Sequence, residues 1–165
     1  MKGRIADIRK NYSRKKLLEK KAAKDPFTQF GKWWKQAINA DIDEINAMTL
    51  ATASPDGMPS ARIVLLKDFT EKGFTFFTNY ESYKGQQMAE NPKACLVFFW
   101  KELERQVRIT GLVERIAAED STEYFLSRPV ESRLGAVVSP QSRVIDSRGW
   151  LDDNYGQKKK ELKGQ

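Results

Sequence analysis

The chain has 165 residues, of which 40% are hydrophobic and 31% charged, and this composition is ordinary for a single globular domain with one core. It contains no apolar run near the ~20 residues that a membrane-spanning helix needs, and its first residues lack the apolar segment of a secretory signal. A single cysteine excludes an internal disulfide framework and fits a reducing compartment, so we expect a cytoplasmic protein with no membrane partner.

The net charge of +7 comes from 29 Lys and Arg residues against 22 Asp and Glu residues. Much of the excess lies near the two ends, in residues 9–16, at Lys20 and Lys21, and in residues 158–160. Such runs are typical of solvated faces or tails, although a basic chain can also bind nucleic acid, an anionic membrane or a phosphorylated small molecule. We expect no nucleic-acid partner, because the sequence carries no recognisable binding motif of that kind. The lack of histidine removes the usual general base and the commonest metal ligand, so we also expect no metal site.

The chain is expected to divide into a basic N-terminal arm, residues 1–24, and one domain, residues 25–165. Asp25 followed by Pro26 is a typical helix start, with the Asp as N-cap and the Pro at the first helical position. Apolar and aromatic residues then recur at roughly helical spacing. They predict a helix to about Asn39 that packs its aromatic side chains into the core.

Five β-strands are predicted from apolar alternation and from the turn signals between them, and they cover residues 47–53, 60–67, 74–79, 93–101 and 105–116. The sequence Ser-Pro-Asp-Gly at 54–57 is a turn signal, since Pro fixes φ and Gly takes the φ > 0 position. Helices are predicted at residues 82–90, 118–127, 131–137 and 146–162. Consecutive strands with short turns favour an antiparallel sheet that closes into a barrel. We therefore expect an α+β domain built on a small antiparallel β-barrel with flanking helices.

Two cations, Arg62 and Lys67, flank an apolar run in the predicted second strand. A cation away from water needs a partner, because an unpaired buried charge is strongly destabilising. Donors that a phosphate group would satisfy gather after the third strand, namely Thr78, Asn79, Ser82 and Lys84. The two cations are five residues apart and so point to opposite faces of a regular strand. Either a bulge lies between them, or they serve two different groups.

Tyr124, Arg128 and Ser132 are spaced at i, i+4 and i+8, so an unbroken helix would place them on one face. All three side chains can donate a hydrogen bond to a phosphate oxygen. Pro129 disfavours helical geometry at Arg128, which means that this face would be assembled across a helix break. By spacing alone, a solvated helix surface is the more ordinary interpretation.

Five blocks of the chain resemble the pyridoxine/pyridoxamine 5'-phosphate oxidase family in order and spacing: Arg-Ile-Val-Leu-Leu-Lys at 62–67, Phe-Phe-Thr-Asn at 76–79, Arg-Gln-Val-Arg at 105–108, Tyr-Phe-Leu-Ser-Arg-Pro at 124–129 and Ser-Pro-Gln-Ser at 139–142. The resemblance extends from about Asp25 to the last residue. It implies the FMN-binding split-barrel fold and a homodimer with the flavin at the subunit interface.

The resemblance also implies which residues bind ligands, and it assigns no catalytic acid or base. The residues at the family's FMN positions are Arg62, Ile63, Val64, Leu65, Leu66, Lys67, Phe77, Thr78, Ser82, Lys84, Gln106, Gln141 and Ser142. Those at the positions that hold the phosphate of the B6 substrate are Lys67, Tyr124, Arg128 and Ser132. The side-chain chemistry agrees, because cations and hydroxyls suit a phosphate and an amide suits the polar edge of a flavin ring.

The implied reaction is the oxidation of pyridoxamine or pyridoxine 5'-phosphate to pyridoxal 5'-phosphate. The C4' carbon passes a hydride to the flavin, and O2 then reoxidises the flavin to give hydrogen peroxide. The alternative is a split-barrel protein that binds FMN or a B6 phosphate without efficient turnover.

Two departures from the family favour that alternative. Tyr83 stands where the family usually carries Arg, so we expect weaker retention of FMN. The family's C-terminal segment, with a Trp-Gly-Gly sequence and an Arg-Leu-His motif, has no counterpart in these 165 residues. We therefore expect a barrel left partly open and slow or unmeasurable turnover.

Overall fold

The computed structural model of the chain describes residues 4–13 and 17–163. Within these ranges the helices are α1 (Pro26–Asn39), α2 (Tyr83–Glu90), α3 (Ala118–Ser127), α4 (Val130–Val138) and α5 (Arg148–Lys163). The strands are β1 (Ala47–Ala53), β2 (Pro59–Leu65), β3 (Asp68–Thr70), β4 (Gly73–Thr75), β5 (Lys93–Trp100) and β6 (Arg105–Leu112). None of the helices in this part of the chain is long and apolar enough to cross a membrane.

The predicted basic arm, residues 1–24, lies partly outside the described residues. Where it is described, it contains two single 3₁₀ turns, Ile5–Asp7 and Glu19–Lys21, and otherwise no regular structure. The backbone N–H of Ser13 donates to a carboxylate oxygen of Glu104 at 2.8 Å. The arm is therefore attached to the turn between β5 and β6.

Four strands form one antiparallel sheet in the order β2-β1-β5-β6. The central strand β1 pairs on both sides, since Thr49 lies opposite Ile63 on β2 and opposite Val97 on β5. The predicted turn at 54–57 joins β1 to β2, with a hydrogen bond of 2.9 Å from the N–H of Gly57 to the carbonyl of Ser54. Gly57 has φ +89°, the left-handed region that the turn requires of a glycine.

The predicted third strand, residues 74–79, is only partly correct. The structure has a separate two-stranded hairpin of β3 and β4, in which Phe69 lies opposite Phe74, and residues 76–79 leave it as an irregular segment. Strand β3 lies between the predicted second and third strands, where no strand was predicted. The physical reason is aromatic packing, because the rings of Phe69 and Phe74 lie 4.8 and 4.9 Å from the ring of Phe30 on α1. The hairpin thus packs against α1 and does not extend the main sheet.

The core lies between the inner face of the sheet and α1. Alternate residues of β1, β2 and β5 point inward and are buried together with side chains of α1, namely Phe30, Ala37, Met48, Leu50, Val64, Leu66, Leu96, Phe98 and Trp100. Burial of each large apolar side chain stabilises the fold by about 1.5–3 kcal/mol. The predicted helix start is confirmed, since Asp25 caps α1 by accepting a 2.6 Å hydrogen bond from the N–H of Thr28. That bond lowers the pKa of Asp25.

The chain after β6 is helical, as predicted, with boundaries shifted by a few residues. Strand β6 ends at Leu112, earlier than the predicted 116, and the N–H of Val113 donates to the carbonyl of Pro92 at 2.7 Å. Helix α3 ends before Arg128, whose φ of −75° and ψ of 149° are extended, and α4 begins after Pro129. The predicted helix break at Pro129 is therefore confirmed.

The outer face of the sheet exposes apolar side chains. Ile63 on β2 is 64% exposed and Phe99 on β5 is 57% exposed, and Leu65 is also exposed. On β1 between these strands, Thr49 lies opposite Ile63 and Val97, and Ala51 lies opposite Ala61 and Cys95. An apolar sheet face without a cover in the single chain is typical of a surface that binds another protein.

Candidate functional site

A cavity of about 1540 Å³ lies beside the inner face of the sheet, the 76–79 segment, the start of α2 and the α3–α4 break. It is larger than the roughly 300–1,000 Å³ of an ordinary small-molecule pocket. Its wall contains most of the predicted site residues: Ile63, Val64, Leu65, Lys67, Phe77, Thr78, Lys84, Tyr124, Arg128, Ser132 and Gln141. Five others lie outside its wall, namely Arg62, Leu66, Ser82, Gln106 and Ser142.

Arg62 lies on the inner face of β2, where its guanidinium makes hydrogen bonds to neutral oxygens. Nη1 donates to the hydroxyl of Thr52 at 2.6 Å and to the carbonyl of Leu50 at 3.3 Å, and Nη2 donates to the hydroxyl of Ser60 at 2.6 Å. Burial lowers the pKa of Arg62, and the nearby Tyr83 partly offsets this effect. The Nε–H and the second Nη2 hydrogen make no hydrogen bond within the described part of the chain.

Lys84 lies in the first turn of α2, close to Arg62. Its Nζ donates to Oγ of Ser82 at 3.3 Å and to Oε1 of Gln141 at 3.1 Å. Burial lowers the pKa of Lys84, and the positive charge of Arg62 lowers it further. Two half-buried cations thus lie near each other with neutral oxygens as their hydrogen-bond partners. An anion between them would relieve both the repulsion and the desolvation of the charges.

Ser82 and Gly85 set the start of α2. Ser82 is fully buried, and its hydroxyl caps the helix by accepting from the N–H of Gly85 at 3.4 Å while it donates to the carbonyl of Asn79 at 2.6 Å. A Cβ at Gly85 would lie 2.2 Å from the carbonyl oxygen of Tyr80, so only glycine fits. Sequence analysis missed Gly85, although a glycine inside a predicted helix is a signal of a close approach.

Lys67 and Tyr124 meet in the wall of the cavity. The Nζ atom of Lys67 lies 5.7 Å from the ring centroid of Tyr124. The ring of Tyr124 stacks on that of Phe77, with 3.7 Å between the centroids and 6° between the planes. The structure therefore separates the two cations of the second strand, with Arg62 beside Lys84 and Lys67 beside Tyr124. The spacing of Arg62 and Lys67 left open a bulge between them or two different ligand groups, and this arrangement favours two different ligand groups.

Tyr124, Arg128 and Ser132 all line the cavity, although they lie on α3, in the break and on α4. Because the break at Pro129 turns the chain, the three residues share a wall without sharing one helix. Tyr124 and Arg128 are partly buried there, whereas Ser132 is exposed. Together with Lys67, they bring two cations and two hydroxyls to this part of the wall.

Residues 139–143 follow α4 in the chain and contact the start of α2. Gln141 accepts from Lys84, and Arg143 forms an exposed ion pair with Glu81 at 3.1 Å. Ser142 has φ +68°, a left-handed conformation that is uncommon for a residue with a side chain. Gln141 thus lies in the cavity wall, whereas Ser142 does not.

Gln106 lies away from the other predicted residues. It faces outward on β6, opposite the exposed Phe99 on β5.

In contrast, Val64 and Leu66 point into the core, where they pack and leave only their backbone for ligand contacts. Within the described ranges, no group of three or more Cys, Asp or Glu residues could hold a metal ion.

The sequence of the chain matches the family model described as pyridoxamine 5'-phosphate oxidase over residues 34–157. The chain belongs to this family. A relative named pyridoxine/pyridoxamine 5'-phosphate oxidase from Gloeothece citriformis is 60% identical over 149 residues, which are 90% of this chain and 70% of that protein. A relative of the same name from Salinibacter ruber is 56% identical over 151 residues, with 92% and 70% of the two chains aligned.

Solved structures of related proteins share the fold of the family. The crystal structure of PhzG from Burkholderia lata, in complex with tetrahydrophenazine-1-carboxylic acid, matches with a TM-score of 0.80 at 25% identity, over 84% of this chain and 68% of that one. A pyridoxamine 5'-phosphate oxidase-related, FMN-binding protein from Nostoc punctiforme matches with a TM-score of 0.59 at 17% identity, over 79% and 72% of the two chains. The predicted FMN-binding split-barrel fold is confirmed.

Proposed function

We propose that this chain is an FMN-dependent oxidase that converts pyridoxamine or pyridoxine 5'-phosphate to pyridoxal 5'-phosphate with O2 as the acceptor. The observation that carries the proposal is the pair of half-buried cations, Arg62 and Lys84, whose hydrogen bonds go to neutral oxygens. Such a pair fits the phosphate of FMN, a dianion that needs at least two cations and several donors. Membership of the family and identities of 56–60% to named oxidases support the same assignment.

The residues present fit FMN. Arg62 and Lys84 would hold its phosphate near the first turn of α2, where the helix dipole also favours an anion. Ser82 is buried and gives its one hydrogen to the carbonyl of Asn79, so it would act by capping α2 and by accepting from Lys84. Gln141 hydrogen-bonds Lys84 from the opposite segment and would keep that cation in place. When bound, FMN would supply the redox chemistry by accepting a hydride from the substrate and passing electrons to O2.

The second group of residues would bind the phosphate of the substrate. Lys67, Tyr124, Arg128 and Ser132 combine two cations with two hydroxyls, and Arg128 can bind two phosphate oxygens at once. Holding the phosphate in this way orients the substrate, and correct orientation alone can account for a large part of a rate enhancement. The described residues of the wall include no histidine, and we assign no general base.

We further propose that the chain is a homodimer. Gln106 is a predicted flavin contact that lies outside the cavity wall and faces outward on β6. The same outer face exposes Ile63 and Phe99. A second copy that covers this apolar face would bury those side chains and could bring its own Gln106 to the flavin of the first.

A titration with two flavins tests the assignment. FMN and riboflavin differ by the phosphate, so we expect the purified chain to bind FMN at least tenfold more tightly than riboflavin, since charge-assisted hydrogen bonds contribute about 1.5–3 kcal/mol each. Quenching of flavin fluorescence measures both affinities. Equal affinity for the two flavins would contradict the phosphate site and with it the proposed function.

Turnover is tested on the FMN-loaded chain with pyridoxamine 5'-phosphate and with pyridoxamine. We expect peroxide and pyridoxal 5'-phosphate in equal amounts but at a low rate from the first, and still less product from the second, which lacks the phosphate. The PhzG structure contains tetrahydrophenazine-1-carboxylic acid. A phenazine carboxylic acid is therefore tested in the same assay as a comparison substrate. Binding of FMN without peroxide would contradict the oxidase and favour a flavin-binding protein.

A further inference from the structure

We propose that Gln87 is a positioning residue that orients Arg62 toward the phosphate of the cofactor. The proposal rests on the function proposed above, and it assigns a role to a residue outside the predicted site. Gln87 lies on α2 and is 2% exposed. Its Oε1 accepts hydrogen bonds from the hydroxyls of Thr52 and Ser60, each at 2.6 Å.

The two hydroxyls connect Gln87 to Arg62. Thr52 and Ser60 lie opposite each other on β1 and β2, and each accepts a 2.6 Å hydrogen bond from the guanidinium of Arg62. A hydroxyl has one hydrogen, whereas a guanidinium can only donate. Each hydroxyl must therefore turn its lone pairs toward Arg62 and its hydrogen elsewhere. The Oε1 atom of Gln87 receives both hydrogens.

The same reasoning fixes the orientation of the amide of Gln87. With oxygen and nitrogen exchanged, the amide nitrogen would donate to two hydroxyls that already accept from Arg62. The hydrogen atoms of Thr52 and Ser60 would then have only each other as partners, at 3.3 Å between the oxygens. The orientation in the structure gives both hydrogens an acceptor, and it leaves Nε2 of Gln87 buried without a hydrogen-bond partner among the described residues. An unpaired buried donor is costly, so an arrangement that keeps it points to a role for the oxygen.

The position of Gln87 on α2 gives this network a functional consequence. Gln87 follows Lys84 by three residues, so the two side chains lie on the same side of the helix. Through Thr52 and Ser60, Gln87 ties the helix that carries Lys84 to the strands that carry Arg62. The amide thereby sets both the orientation of the guanidinium and the separation of the two cations. A phosphate bound by both cations would depend on that separation.

The test uses Gln87→Met, which keeps the length of the side chain and removes the acceptor. We expect its affinity for FMN to fall about tenfold, since the guanidinium loses its fixed direction. Its affinity for riboflavin should change less than about twofold by the same reasoning, because riboflavin has no phosphate for Arg62 to bind. Gln86→Met is the matched control on the same helix, since Gln86 is exposed and its side chain donates to the carbonyl of Glu81. We expect both of its affinities to be unchanged.

Two further variants separate positioning from a general loss of structure. In an Arg62→Ala background, Gln87→Met should have no additional effect on FMN affinity, whereas a loss through disordered packing would persist and overturn the proposal. If Gln87→Met fails to fold, Ser60→Ala removes one of the two connecting hydroxyls and should show the same loss for FMN alone. Unchanged FMN affinity in the folded variant, with Arg62→Ala strongly impaired, would overturn the role of Gln87 and leave the proposed function standing. Equal affinity of the unmodified chain for FMN and riboflavin would overturn both.

Discussion

Arg62 on β2 and Lys84 on α2 lie near enough that the charge of one affects the protonation of the other. Burial is the main cause of the lowered pKa of Lys84, and the charge of Arg62 adds to it. The hydrogen bonds that these two cations make within the described chain go to neutral groups. The site is therefore electrostatically suited to an anion, and this property leads to the first prediction.

The affinity for FMN should fall as the pH rises through the lowered pKa of Lys84. Below that pKa the lysine is charged with or without ligand, so it adds no pH dependence. Above it the free protein has a neutral lysine, whereas a bound phosphate favours the charged form, and binding must take up a proton. The decline should begin below the ordinary lysine pKa of about 10.4. Titrations of FMN at several pH values measure it.

Lys84→Arg is the control for this pH dependence. A guanidinium keeps its proton throughout the range, so the decline assigned to Lys84 should disappear. An identical alkaline decline in Lys84→Arg would contradict the assignment. The phosphate of free FMN does not interfere, because its second pKa lies near 6 and it is a dianion over the alkaline range.

Tyr83→Arg should tighten FMN binding. Tyr83 is exposed and close enough to Arg62 to influence its pKa, so an arginine there would add a third cation beside the phosphate. We expect a gain of about 1–2 kcal/mol, which is less than a buried charge-assisted hydrogen bond contributes because position 83 is exposed to water. Calorimetric titration measures it, and Tyr83→Phe serves as the uncharged control. An unchanged or weaker affinity of Tyr83→Arg would mean that the phosphate binds elsewhere.

Gly85→Ala should destabilise the protein and disturb the start of α2. The added Cβ would meet the backbone carbonyl of Tyr80, which cannot move without shifting the chain. We expect a loss of about 1–3 kcal/mol in the free energy of unfolding, as for other overpacked sites. Urea denaturation measures it. Gly156→Ala on α5 is the control, since a Cβ there meets no atom within 4 Å, and its stability should be equal or higher.

Arg128→Ala should weaken the binding of pyridoxal 5'-phosphate while FMN affinity stays the same. The two proposed phosphate sites use different residues, with Arg128 and Tyr124 in one and Arg62 and Lys84 in the other. We expect a loss of about tenfold or more for pyridoxal 5'-phosphate, measured by its absorbance change. Arg148→Ala, which removes an exposed ion pair with Asp152, should change neither affinity. A parallel loss of both ligands in Arg128→Ala would indicate one shared phosphate site.

Phe99→Asp should convert the proposed dimer to a monomer and weaken FMN binding with it. Phe99 is 57% exposed in the single chain and lies on the apolar sheet face, where a carboxylate would oppose association. Light scattering measures the mass of the particle. Leu126→Asp on α3 is the matched control, since Leu126 is equally exposed but lies outside this face. An unmodified chain that is a monomer and binds FMN stoichiometrically would contradict the dimer.

The local features of the fold could be read from the sequence because they depend on neighbouring residues. The N-cap at Asp25 and the break at Pro129 follow from side-chain and backbone chemistry within a few positions. The alternation of β1 and β5 follows from the period of the strand. The error at residues 74–79 has the opposite origin. Phe74 is strand-forming in either arrangement, and its contact with Phe30 decides which sheet it joins.

The candidate site shows the same division. By itself, the sequence determined which residue types are available for phosphates, and the resemblance of five blocks identified the family. Only the tertiary structure decided that Arg62 lies near Lys84 and that Lys67 lies over the ring of Tyr124. It alone shows that Gln87 orients the hydroxyls of Thr52 and Ser60, contacts that join residues 35 and 27 positions apart. No local pattern encodes such contacts, because they depend on where α2 packs against the sheet.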